Sequence, residues 1–286
     1  MPRDDAAPFM PELPEVELVA RSLDKLLRGR LITEAELLRA RLAPHSDANK
    51  FATDLSGAAV NFVHRRGKHV LFDLNNHRTL ITHLRMSGRF MLLSQDREDP
   101  KFTHAVFHLD GGERLVFQDQ RHFGLMKIVE TAELAGTKEL SQLAPEPFSE
   151  VFSVEYLYEV LKRSNRTLKE FVIDQTKVCG LGNIYAAEAL FLAGLHPAKR
   201  TSKMSRPKTA SLHEKIREVL QDAIEAGSTL NFDPENIDGS YTGGGYESRW
   251  RVYDRESEPC GVCASAILRL KQGGRSSYFC PKCQRR

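Results

Sequence analysis

The chain has 286 residues, 41% hydrophobic and 28% charged, with a net charge of +3. That composition describes a globular protein long enough for two cores, and no apolar run reaches the roughly 18 residues of a membrane span. The opening MPRDDAAPFM lacks the apolar stretch of a secretory signal, so a cytoplasmic location without membrane contact is expected.

Residues 1–9 are polar and read as a disordered extension. The run Met10-Pro-Glu-Leu-Pro-Glu-Val-Glu17 follows. If the chain began at Pro11, that residue would carry a free secondary amine, able to attack a carbonyl-level carbon as in Schiff-base catalysis. Glu12 beside it can move protons. The plain reading is a proline-opened helix. Apolar residues Val16, Val19, Ala20, Leu23, Leu26 and Leu27 do place an amphipathic helix over 14–27, closed by Gly29.

From 31 to about 130 short strand-like runs alternate with turns: 60–62, 69–74, 79–84, 90–93, 105–109 and 114–117. Asn75-Asn76 and Gly111-Gly112 are the clearest turns. The pattern predicts an antiparallel β-sandwich. A proline-rich stretch at 143–148 then gives way to helical periodicity at 154–164, 168–175, 184–193 and 208–226. Between these helices, Gly180-Leu-Gly-Asn183 opens a helix whose free amides suit an anion, with Asn183 as its cap. An ordinary helix–helix turn is the bland alternative. Residues 227–249, rich in Gly, Ser, Asn and Asp, read as a mobile loop.

The last module carries Cys260-Gly-Val-Cys263 and Cys280-Pro-Lys-Cys283. In a reducing compartment, two such pairs at this spacing favour metal over disulfides. Four thiolates around one Zn²⁺ leave no open position, so the ion is structural and its binding energy is folding energy. The segment between the pairs reads as a β-hairpin with a Gly-Gly turn and a basic tip of Lys271, Gln272 and Arg275. Cys179 stands apart and reads as a small core residue. Lys and Arg also cluster at 65–68, 162–166, 269–275 and 285–286, a phosphate footprint when taken together.

Together these residues resemble the formamidopyrimidine-DNA glycosylase family, the Fpg/MutM proteins. The resemblance spans 10–286 and rests on seven motifs in order: PELPEVE, Arg65-Arg-Gly-Lys68, His83-Leu-Arg-Met86-Ser-Gly, Arg121-His-Phe123-Gly, Pro145-Glu-Pro147, Gly180-Leu-Gly-Asn183-Ile-Tyr and the terminal finger. It implies an α+β multidomain chain. An N-terminal helix and antiparallel β-sandwich (10–140) would join a helix–two-turn–helix domain (141–226), a lesion-covering loop (227–249) and a β-hairpin zinc finger (250–286). DNA would lie in the cleft with the damaged base flipped out.

The implied activity is base-excision repair of oxidised purines. Pro11 would attack C1′, Glu12 would move protons, and Lys68 and Arg275 would grip the backbone during β,δ-elimination. Met86, Arg121 and Phe123 would fill the gap left by the base. Lys169 and Asn183 would contact DNA near the lesion, and Glu15 would support the N-terminal helix. The implied cofactor is one structural Zn²⁺ and the implied partner is duplex DNA with a damaged base or abasic site, bound by a monomer. Departures from the family pattern fall at Arg85, Phe102, Gln120, His122 and Asn231, and in residues 1–9, whose attachment would leave Pro11 acylated. The functional start is therefore expected at Met10, or the extension removed. An endonuclease VIII-like enzyme for oxidised pyrimidines and a non-catalytic zinc-dependent damage-binding protein are the alternatives.

Overall fold

A computed structural model describes residues 10–240 and 242–285, so the extension expected over 1–9 lies outside the described residues. In chain order the elements are α1 (Leu13–Leu27), β1 (Leu31–Leu37), α2 (Ala48–Leu55), β2 (Ala58–Arg66), β3 (His69–Leu74), β4 (Arg78–His83), β5 (Gly88–Leu93), β6 (Thr103–Leu109), β7 (Arg114–Asp119) and β8 (Leu125–Glu130). They continue with α3 (Lys138–Ser141), α4 (Val154–Lys162), α5 (Leu168–Val172), α6 (Asn183–Leu192), α7 (Arg206–Glu225), β9 (Asn231–Phe232), β10 (Gly239–Ser240), β11 (Leu268–Gln272) and β12 (Arg275–Phe279). Two compact units result: one of Met1–Pro11, Glu15–Ser141 and Thr229–Gly244, the other of Glu12–Pro14, Gln142–Ser228 and Gly245–Arg286.

The first unit is built on one eight-stranded antiparallel sheet in the order β5-β7-β6-β1-β2-β3-β4-β8. Its two halves meet at β1–β2, where only Leu31↔Ala59 and Ile32↔Ala58 pair. Val63, Val70, Phe72 and Leu80 of one half share a core with Phe90, Phe107, Leu115 and Phe117 of the other, which makes the expected sandwich. The stripe of α1, Val16, Val19, Ala20, Leu23 and Leu27, is at most 2% exposed and completes that core. Met91, Leu93, Val106 and Val116 form a separate small cluster.

The loop expected at 227–249 has more structure than its composition suggests. β9 and β10 pair through Gly239↔Phe232 and Ser240↔Asn231. Leu230 and Ile237 enter the sandwich core. The buried Glu15 carboxylate accepts the Thr229 N–H at 3.3 Å and its hydroxyl at 3.0 Å, tying the segment to α1. The Arg89 guanidinium binds the Gly239 carbonyl. Few apolar residues suffice when each is placed on an existing core.

The second unit is helical. Ser153 caps α4 by accepting the Tyr156 N–H at 3.1 Å, and Thr167 and Glu170 close a capping box on α5. Residues 173–182 make the turns between α5 and α6. Residues 184–191 of α6 are all buried, which is why that helix has no polar face. Cys179 is fully buried, as a core residue should be. β11 and β12 form the expected hairpin over the Gly273-Gly274 turn.

Candidate functional site

In the helical unit the glycine turn delivers the free end of α6 onto Glu12. The Glu12 carboxylate, 2% exposed, accepts N–H groups from Gly182 at 2.6 Å, Ile184 at 2.9 Å and Tyr185 at 3.4 Å. Both glycines are needed for this approach. Gly180 has φ +84° and no room for a Cβ beside Leu13, and a Cβ on Gly182 would strike the Glu12 carboxyl. The expected cap is thereby corrected: Asn183 is the first helical residue, Gly182 is the N-cap, and Glu12 supplies the acceptor. A side chain reaching in from Glu12 satisfies the amides better than Asn183 can from within the helix.

Asn183 instead turns its side chain to the Tyr253 hydroxyl and gives its carbonyl to Lys169, whose Nζ donates at 2.7 Å. Lys169 is enclosed, at 1% exposure. Burial drives its pKa down to about 7, Glu12 and Glu188 pull it back up, and Arg275 pushes it down again. Arg275 is exposed at the start of β12. Gln272, expected at a free basic tip, is docked: its Nε2 donates to Thr167 Oγ1 at 3.1 Å and to the Pro197 carbonyl at 3.5 Å. Sequence reasoning missed Glu188. It is fully buried and accepts the N–H groups of Arg251, Val252 and Tyr253 at 2.9, 3.0 and 2.9 Å. An acid inside an otherwise apolar helix was the available signal.

The sandwich unit holds the other expected residues. Lys68 follows Gly67 in the β2–β3 turn and is 7% exposed. The strand before it is braced where Arg65 Nε donates to Glu17 at 2.8 Å. His83 lies edge-on to His69, ring centroids 4.7 Å apart. Burial holds both rings neutral, His69 down to about 4, with Lys68 adding to the effect on His83. The Arg85 N–H donates to His83 Nδ1 at 3.0 Å, so the His83 proton sits on Nε2.

Arg121 and Phe123 project from a loop fixed by Asp119, which is fully buried. Asp119 accepts the Arg121 N–H at 3.2 Å, the Gly124 N–H at 2.6 Å and the Ser87 hydroxyl. Phe123 is 43% exposed, with the Arg121 guanidinium 5.4 Å above its ring. Core packing therefore does not explain this phenylalanine. A cleft of about 360 Å³ is lined by Met86, Phe123, His122, Arg41 and Met10, the residue acylating the Pro11 nitrogen. Pro11 itself is buried. On its other side Met86 borders a cavity of about 480 Å³, also lined by Arg89, Phe102, Gln118, Phe232 and Thr242.

The four paired cysteines converge: their sulfurs all lie within 4.8 Å of one another, Cys260 to Cys283 at 3.9 Å and Cys263 to Cys280 at 3.4 Å. A zinc ion about 2.3 Å from each of four sulfurs spaces them about 3.8 Å apart, so the set fits one tetrahedral Zn²⁺. The finger is anchored beyond the metal. Val252, Ile267 and Tyr278 pack with Ala187 and Phe191 of α6, and Gln284 donates to the Leu195 carbonyl at 2.9 Å.

Three sequence profiles match in the order of these structures. Residues 10–126 match the formamidopyrimidine-DNA glycosylase N-terminal domain, 143–233 its H2TH domain, and 257–286 the zinc finger found in FPG and IleRS. The chain belongs to the formamidopyrimidine-DNA glycosylase family. It is 39% identical to the Bacillus subtilis formamidopyrimidine-DNA glycosylase over 276 residues, covering 96% of this chain and 99% of that one. Against the Roseobacter denitrificans enzyme of the same name, identity is 42% over 287 residues, covering 96% and 100%. Among solved structures, a Lactococcus lactis Fpg complex with abasic-site DNA aligns with TM-score 0.89 at 32% identity, covering 96% of this chain and 100% of that one. A mutant of that protein bound to Fapy-dG DNA aligns at 0.90, with the same identity and coverage. The family's N-terminal match begins at Met10, immediately before the proline–acid pair.

Proposed function

We propose that this chain is a bifunctional DNA glycosylase and abasic-site lyase that removes oxidised purines, formamidopyrimidines and 8-oxoguanine, in base-excision repair. The observation that carries the reading is Glu12, the residue next to Pro11, whose carboxylate is held by the amides of Gly182 and Ile184 at the start of α6. A carboxylate so fixed cannot wander from its neighbour, as general acid–base catalysis demands.

With Pro11 as N-terminus, its nitrogen attacks C1′ of the damaged nucleotide, the C1′–base bond breaks, and the base leaves with a proton. Glu12 protonates O4′ as the ring opens, and loss of the amine proton leaves an iminium ion. The iminium acidifies C2′, so the 3′ phosphate departs by β-elimination. A second proton loss expels the 5′ phosphate by δ-elimination, and water then releases Pro11. Lys68 and Arg275 hold the flanking phosphates. Met86, Arg121 and Phe123 stand in the gap, and Lys169 and Asn183 steady the strand near the lesion. Zinc supplies no step; it holds the hairpin that carries Arg275.

The same reading places the functional N-terminus at Pro11, and is supported by the family match starting at Met10 and by a relative whose whole length is spanned by 97% of this chain. It takes the working protein as a cytoplasmic monomer, in line with the family resemblance. Among the described residues no helix is long and apolar enough to cross a membrane.

A second reading, preference for oxidised pyrimidines, draws on one observation: an aligned Lactococcus lactis Fpg structure contains oxidised-pyrimidine DNA. Single-turnover excision from 8-oxoguanine and thymine glycol duplexes by the chain starting at Pro11 decides between them. Faster release of 8-oxoguanine is expected, and faster release of thymine glycol would transfer the assignment to the second reading.

A further inference from the structure

Two of the positions at which this chain departs from the family pattern, Phe102 and His122, meet in space. The Phe102 ring stands edge-on to the His122 ring, with centroids 5.6 Å apart. Both residues hold left-handed backbone, φ +66° at Phe102 and +60° at His122. Bulky side chains adopt that region only where their surroundings enforce it.

Here the enforcing contacts are specific. The Phe102 carbonyl accepts the Asp119 N–H at 3.0 Å, and the His122 N–H donates to the Asp119 carbonyl at 3.2 Å. His122 Nδ1 lies 3.0 Å from Nε2 of His104, the two rings nearly parallel with centroids 4.9 Å apart. His104 is 3% exposed, so the partner of His122 belongs to the interior of the sandwich unit. One imidazole donates and the other accepts, which fails if both are protonated. Burial lowers the His104 pKa against the pull of Asp119, and the charges of His122 and Arg39 lower it further. The acceptor is thereby kept available.

His122 stands between Arg121 and Phe123. Its ring bonds inward to His104 while both neighbours are exposed. Asp119 and Ser87 fix the main chain of this loop, through the N–H groups of Arg121 and Gly124. The bond between the histidines adds a side-chain anchor at the centre, flanked by the two residues expected to enter the gap. Where a guanidinium stands decides which base it suits. Its paired N–H donors match the adjacent O2 and N3 acceptors of cytosine, whereas the pairing edge of adenine sets a donor beside an acceptor.

We propose that His122, through its hydrogen bond to His104, is a positioning residue that sets where Arg121 and Phe123 stand and so tunes the choice of base opposite the lesion. The inference rests on the DNA-repair reading above for its substrate and gives neither histidine a part in the chemistry.

The test measures binding of the full chain to duplexes with a tetrahydrofuran abasic analogue opposite cytosine or adenine, for wild type, His122→Gly and His122→Asn. Glycine accepts φ +60° without a ring, and asparagine tolerates the same backbone while placing an amide where Nδ1 stood. Wild type should favour cytosine. In His122→Gly the cytosine-over-adenine affinity ratio should fall by about tenfold, the scale of one well-aligned bidentate base contact, and His122→Asn should restore it. A wild type without preference, an unchanged ratio in His122→Gly, or a fall that His122→Asn leaves unrestored would overturn the proposal. Equal weakening opposite both bases would do the same, since it would make the pair a general brace. Failure of the Pro11-starting wild type to release 8-oxoguanine would count against the repair assignment alone, because the binding ratio involves no chemical step.

Discussion

A carboxylate 2% exposed is costly to hold without partners, and Glu12 meets that cost with three backbone N–H groups at the end of a helix. Its geometry and its proton are separable. Glu12→Gln keeps an oxygen on the α6 amides but cannot transfer a proton. It should slow single-turnover base release by about 10² to 10⁴-fold while leaving abasic-analogue binding intact. Equal loss of binding and rate would mean that Glu12 acts only as a cap. Lys169 makes a prediction about pH. The folded state lowers its pKa from 10.5 to about 7, so between these values the unfolded chain holds the proton and the folded chain does not. Stability must then rise with pH across that window, the full penalty applying below about pH 7. The urea midpoint of wild type relative to Lys169→Met should climb from about pH 7 to about pH 10. A constant difference would show that Lys169 titrates as an ordinary lysine. Pro11, Glu12, Lys68, Met86, Arg121 and Phe123 could be named as candidates from residue types in order. Asp119 and Glu188 could not, because most of their partners are backbone amides, which leave no trace in side-chain pattern.

At the scale of elements, period and punctuation carried far. Residues 69–74 fall on β3 as read, α1 ends before Gly29, and Gly273-Gly274 turns the finger hairpin. β1 and β8 gave no separate strand signal because their exposure runs irregularly along LITEAEL and LMKIVE. The eight-residue α2, fixed by an Asp47 cap, is too short to show a period. The pairing of β9 with β10 was hidden for another reason: it depends on Leu230 and Ile237 reaching a core built elsewhere in the chain. The finger depends on its metal and on the contacts with α6. Cys263→Ser should release zinc, measured by a chromogenic chelator, and abolish DNA binding. The sheet of the sandwich unit should persist by circular dichroism, since its core contains none of the four cysteines. DNA binding that survives zinc loss would mean the finger is not the clamp.

On the scale of the whole molecule a net charge of +3 is unremarkable, and the arrangement of charge says more. The basic runs at 65–68 and 162–166 were visible in the sequence, but their members are largely paired or packed once folded. Chain continuity matters in the same way for the chemistry. Pro11 is bonded to Met10 in the 286-residue chain, so its nitrogen is a tertiary amide without nucleophilic character. Borohydride trapping on an 8-oxoguanine duplex, followed by peptide mapping, tests this most directly. The chain starting at Pro11 should give a covalent DNA adduct on that residue, and the 286-residue chain none. An adduct on another residue, or none in either form, would contradict the proline mechanism.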